Sequence, residues 1–101
     1  MDVRVDQSKA LASEARQAIL RWLAEPGAHF AHQASGAPEE IGVCVTLLTE
    51  KLGMAQPTVS RHLELLRRAG FVRVRKVGRW SYFRRDEAAI TDFKEWLIDS
   101  V

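Results

Sequence analysis

The sequence predicts a mainly α-helical domain, five or so helices, carrying one small two-stranded antiparallel β-ribbon. Three observations predict it. Apolar residues recur at three- and four-residue steps over residues 7–24, 45–52, 59–69 and 89–101. Between the last two stretches, Phe71-Val72-Arg73-Val74-Arg75-Lys76 alternates apolar and basic residues, the period of a half-buried strand. Gly53, Gly70 and Gly78 fall where one pattern gives way to the next, as turn residues do.

Taken in order, Leu11, Ala15, Ala18, Ile19, Trp22 and Leu23 give residues 7–24 one apolar stripe. Ser13 is a natural cap for a piece starting at Glu14, which divides this stretch into two helices with a bend. Glu25-Pro26-Gly27 stops it. From Ala28 to Gly42 no period is sustained; Gly36 and Pro38 punctuate a segment holding His29, Phe30 and His32, and no element is assigned.

Order returns with Val45, Leu47, Leu48 and Leu52, one face of a short helix. Gly53 then supplies a tight turn. Pro57 suits the first turn of the next helix, where its missing N–H costs nothing, and Ala55 is a poor cap. In that helix Val59, Leu63 and Leu66 face inward, with Leu65 and Ala69 widening the stripe, and Gly70 ends it. The ribbon follows: a strand from Phe71, a turn at Val77-Gly78-Arg79, and an aromatic-rich return through Trp80-Ser81-Tyr82-Phe83-Arg84. Asp86 caps a last helix with Ala89, Ile90, Phe93, Trp96, Leu97 and Val101 on its apolar face. A helix, a tight turn, a second helix and a ribbon make a winged helix-turn-helix.

At 101 residues the chain has room for one modest core, so residues 1–101 are expected to form a single domain. No apolar run approaches the roughly 20 residues that cross a bilayer, and the start lacks the apolar core of a secretory signal. A cytoplasmic protein is expected. The lone Cys44 suits a reducing compartment and excludes multi-cysteine zinc motifs within one chain.

Charge is divided unevenly. From Arg61 to Arg85 nine basic residues face one acid, Glu64, a net +8; the remainder holds six basic and twelve acidic residues, a net −6. Such a split gives the molecule one face that attracts polyanions and one that avoids them.

The charged stretch carries the chemistry of base reading. A major groove admits one α-helix, whose N-terminal residues reach base edges. Those residues here are Gln56, Pro57, Thr58, Ser60, Arg61 and His62, with Arg68 on the same face as Thr58 and Arg61. Glutamine pairs with adenine, arginine with guanine, and the threonine methyl meets the thymine methyl. Arg75, Lys76 and Arg79 lie on the ribbon, where they reach phosphates or the minor groove and supply affinity rather than sequence information. Trp80, Tyr82 and Phe83 are read as packing beneath the ribbon.

The run from Leu52 to Val72, with its Gln-Pro-Thr-Val-Ser-Arg-His-Leu core at residues 56–63, resembles the recognition unit of the ArsR/SmtB family of bacterial repressors. The ribbon from Gly78 to Arg84 and the placing of the flanking helices are similar too; residues 26–42 match least. The resemblance implies a homodimer that binds imperfect palindromes in double-stranded DNA and represses, with an inducer releasing it. It places the dimer interface on the first and last helices. The residues agree independently: Leu11, Trp22, Ile90, Phe93, Trp96 and Leu97 are much apolar surface for the ends of a small monomer.

Soft-metal sensors of that family carry a paired-cysteine motif before the recognition helix. Cys44 matches the first cysteine, but Thr46 stands where the second would be, and one thiolate makes no soft-metal site alone. The last helix, residues 86–101, has no histidine for the family's other metal site. His29 and His32 are three apart, but nothing makes their segment helical, so no metal or cofactor is expected. Cys44 has two readings: a redox sensor able to oxidise or pair with another chain, or a small buried hydrophobe.

Three function classes are open to such a sequence. A dimeric, sequence-specific transcriptional repressor with an unidentified inducer accounts for the helix and the ribbon together. The alternative is a winged helix that contacts protein or RNA, against which the polar set at Gln56, Thr58, Ser60 and Arg61 argues, since protein contacts favour apolar anchors. An enzyme would need a nucleophile with a positioned base, and Cys44 with a loop histidine has no supporting spacing.

Overall fold

A computed structural model describes residues 2–101. Two short helices, α1 (Val3–Ala10) and α2 (Glu14–Ala24), open the chain. Helix α1 starts earlier than the apolar stripe indicates, because the Asp2 side chain accepts from the Arg4 amide and caps it. Ser13 caps α2 in the same way, through Arg16, and makes the expected bend.

Residues 26–42, unassigned from sequence, hold two single-turn helices, α3 (Pro26–His29) and α4 (Pro38–Ile41), each opened by a proline. Two side chains tie this segment down. Phe30 is wholly buried, and Lys51 lies 5.6 Å from its ring centroid and 5.2 Å from that of Trp22. The buried Gln33 side chain donates to the Gly36 and Gly42 carbonyls and accepts from the Cys44 N–H.

The ribbon is a three-stranded sheet rather than a two-stranded one. Strand β1 (Val43–Cys44) pairs antiparallel with β3 (Trp80–Arg85), which also pairs antiparallel with β2 (Val72–Val77), giving the order β1-β3-β2. Two residues are too few to show a period, so the sequence does not reveal β1. Gly42 admits the chain at this edge: its φ is +89°, and a Cβ there would lie 2.9 Å from the Phe83 carbonyl oxygen.

The helix-turn-helix is α5 (Val45–Leu52) and α6 (Gln56–Arg68), joined through left-handed Gly53. The last helix, α7 (Glu87–Ser100), is capped by Asp86, whose side chain accepts from the Ala89 amide. Ile19, Phe30, Leu48, Val59, Leu63, Leu66 and Phe71 are buried at the centre, where α2, α5, α6 and the sheet meet. Each contributes about 1.5–3 kcal/mol by leaving water, and this holds α6 against the body while its opposite face stays free. No described helix is long and apolar enough to cross a membrane.

Candidate nucleic-acid interface

Helix α6 turns 100° per residue, and its three buried side chains, Val59, Leu63 and Leu66, define its inner face. That geometry points Arg61 and Arg68 most directly outward. Gln56 and Ser60 lie on the flank toward the wing, where they line a groove of about 300 Å³ with Arg67, Lys76 and Arg79. Thr58 lies toward the opposite flank. Gln56, Pro57, Thr58, Ser60 and Arg61 are all exposed. Ala55 offers no side-chain hydrogen bond to the helix start.

His62 behaves differently from its neighbours. It is half-buried, and the Arg16 guanidinium of α2 donates to its Nδ1 at 3.0 Å. Arg16 also donates to the Ala10 and Lys9 carbonyls, so His62 belongs to a link between α6 and the α1–α2 corner. Burial lowers its pKa, and the Arg16 charge lowers it further. Sequence reasoning missed Arg16, which sits on an ordinary polar helix face and meets α6 only in the folded chain.

The nine bases of residues 61–85 divide into two groups. Glu64 accepts from both Arg67 (2.6 Å) and Arg68 (3.1 Å), and hydrogen bonding from Arg67 holds its carboxyl far below the ordinary range. Arg73 pairs with Asp86 at 2.9 Å; the Ala89 amide first, then Arg73, lowers the Asp86 pKa. Arg84 donates to the Glu40 carbonyl, and Arg85 binds Glu87 and the Leu20 carbonyl. Among the described residues, Arg61, Arg75, Lys76 and Arg79 pair with no acid. All four are exposed, on α6 and on the wing. Of the cations singled out from sequence, Arg68 is the one already engaged.

Tyr82 and Phe83 are buried as expected, but Trp80 is 47% exposed, with the Arg79 guanidinium 5.6 Å from its ring centroid. Trp80 lies beside the wing turn, paired with Val77. Cys44 is 7% exposed and holds the N-cap position of α5 with no side-chain hydrogen bond to the helix start. Among the described residues no group of three His, Cys, Asp or Glu side chains is arranged to hold a metal.

The candidate interface residues of the terminal helices also divide. Ile90 and Phe93 are covered within the chain, Phe93 lying edge-on to Phe71 at 5.3 Å. Leu11, Trp22 and Trp96 are partly buried against the core, while Leu97 is 41% exposed. Val3 and Val5 on α1 and Ile98 on α7, which the apolar stripes did not single out, are also exposed, as is Val101, which the stripe of the last helix included.

Residues 43–74, which hold the helix-turn-helix, match the family described as bacterial regulatory protein, arsR family. The chain is similar to the HTH-type transcriptional regulator YbzH of Bacillus subtilis, 42% identical over 92% of this chain and 93% of that one. It is 37% identical to the arsenical resistance operon repressor of Escherichia coli, over 75% of this chain and 53% of that one. A similar solved structure is the homodimeric winged helix-turn-helix DNA-binding domain of a possible ArsR-family regulator from Mycobacterium bovis. Its TM-score is 0.67 and its identity 26%, over 98% of this chain and 79% of that one. The chain therefore belongs to the ArsR family and is a winged helix-turn-helix, DNA-binding transcriptional regulator.

Proposed function

We propose that the chain, as one unit over residues 1–101, works in the cytoplasm as a homodimeric repressor on a palindromic operator, released by an inducer. One observation carries the reading. Lys76 and Arg79, which have no acidic partner, line one groove with Gln56 and Ser60 of α6, and the likewise unpaired Arg61 points outward from the same helix. Arg61, Gln56 and Thr58 read base edges from the outer face and start of α6. Lys76, Arg79 and Arg75 take the neighbouring phosphates and fix register. Arg68 joins them only by leaving Glu64, and His62 acts by holding α6 in position.

A dimer places two such helices about 34 Å apart, one turn of DNA. The exposed Val3, Val5, Leu97, Ile98 and Val101 and the partly buried Leu11, Trp22 and Trp96 supply apolar surface for it. The homodimeric state of the Mycobacterium bovis domain supports this arrangement. Footprinting on the region upstream of the chain's own gene tests it. Two protected half-sites centred one helical turn apart are expected; a single uninterrupted half-site, bound by a monomer, would refute the dimer.

A further inference from the structure

The face of the wing sheet opposite Phe83 carries Tyr82 and is bordered by the start of α5. Residues 32–35 pass over it and leave an open concavity of about 380 Å³. Its walls are largely apolar and carry no Lys, Arg, Asp or Glu, in a wing otherwise crowded with arginine. Trp80 and Leu47 supply apolar surface, and Tyr82 and Cys44, paired across β3 and β1, form the floor.

The polar groups there are not equivalent. The Gln33 amide is fully spent on Gly36, Gly42 and Cys44. Tyr82 is 6% exposed, yet its hydroxyl makes no hydrogen bond to a described residue. No side-chain polar atom is sealed without a partner among the described residues, so the hydroxyl opens onto the concavity it lines. A buried tyrosine ordinarily finds a partner for its O–H. His32, Ser35 and Thr46 add polar side chains at the border of the concavity, and an apolar hollow of this size with a few polar groups is the usual form of a small-molecule site.

We propose that this concavity binds an uncharged one- or two-ring aromatic compound, whose polar substituent meets the Tyr82 hydroxyl and whose ring lies against Trp80. The coupling to DNA rests on the repressor reading above; the binding does not. Thr46 and Leu47 at the start of α5 form one side of the site, and Trp80 at the wing turn forms the other. The Arg79 guanidinium, which lines the groove toward α6 rather than this hollow, lies over the same indole, so a ring that shifts Trp80 shifts Arg79 with it. The ligand therefore weakens DNA binding, and DNA weakens the ligand equally.

The probes are indole and 2-naphthol, titrated into the ¹⁵N-labelled full chain and followed by amide shifts. At least one probe should give saturable shifts centred on Ala34, Leu47, Trp80 and Tyr82. Ala34→Trp, which fills the mouth from an exposed position, should abolish them and leave DNA affinity without probe unchanged. Tyr82→Phe keeps the packing, since the hydroxyl holds nothing, and should weaken 2-naphthol about three- to tenfold. Saturating probe should lower DNA affinity at least about fivefold. The absence of saturable shifts with both probes, or shifts that survive Ala34→Trp, overturns the site. So do shifts at Ala34 and Trp80 that follow protein concentration alone, which would mean a second copy fills the hollow. A bound probe that leaves DNA affinity unchanged overturns the coupling. A chain that takes the probe but shows no operator preference sinks the repressor reading alone.

Discussion

Arg16 of α2 reaches the recognition helix and donates to His62 Nδ1 at 3.0 Å. A guanidinium has only donors, so the imidazole accepts and must be neutral, its own proton on Nε2. The folded-state pKa is lowered from the ordinary 6.5. Above that value the unfolded chain is neutral at His62 as well, and the link contributes in full. As pH falls below it, the unfolded chain binds a proton that the folded chain resists, so stability is lost toward the folded pKa. Urea unfolding at about pH 7.5 and pH 5.5 should show this loss, and His62→Gln should remove part of it. Equal slopes in both proteins would contradict the neutral link.

Arg61 has no acidic partner and points away from the core of α6. Arg61→Ala is expected to weaken specific binding by about 1–3 kcal/mol and to relax base preference at one position per half-site. Selection of bound sequences from a random pool checks it. An unchanged consensus would remove Arg61 from base reading.

Arg79 is a phosphate contact in this account. Arg79→Ala should weaken every duplex alike and reduce the slope of log affinity against log salt by about 1. A loss confined to one sequence, measured by salt titration, contradicts that role.

Gln33 closes the 31–42 segment on itself by donating to the Gly36 and Gly42 carbonyls and fastens it to β1 by accepting from the Cys44 N–H. Gln33→Leu leaves the Cys44 N–H and the Gly42 carbonyl short of a partner, and about 1–3 kcal/mol of stability should be lost. Equilibrium denaturation reads this directly, and a loss within error would mean water replaces the amide.

Ile98 is 78% exposed on α7, so the single chain does not need its side chain buried. Ile98→Asp should leave the fold intact and shift sedimentation from dimer toward monomer. A variant that still sediments as a dimer places the interface elsewhere.

The elements with long, clean periods were legible in the sequence. Val59, Leu63 and Leu66 announced α6, the alternation from Phe71 to Lys76 announced β2, and Ser13, Asp86 and Gly53 marked boundaries that the structure keeps. What stayed hidden depended on contacts distant in sequence. Strand β1 exists because β3 is there to pair with it, and residues 26–42 are ordered by one buried phenylalanine and one buried glutamine rather than by a period.

The interface was half legible for the same reason. Base-reading residue types at the start of α6 show in the sequence, but which arginines are spent on acids does not. Arg67 and Arg68 converge on Glu64 within one helix turn, and Arg73 meets Asp86 across the sheet's end. His62 looked like its exposed neighbours until α2 brought Arg16 to it.

Competition binding shows whether α6 reads sequence. A labelled duplex from the chain's own upstream region is challenged with itself and with random DNA at about 150 mM salt. The specific duplex should compete at least about 10³-fold better, with Arg61→Ala eroding that ratio and Arg79→Ala preserving it. Equal competition by both duplexes, falling together as salt rises, would show a basic surface with no reading head.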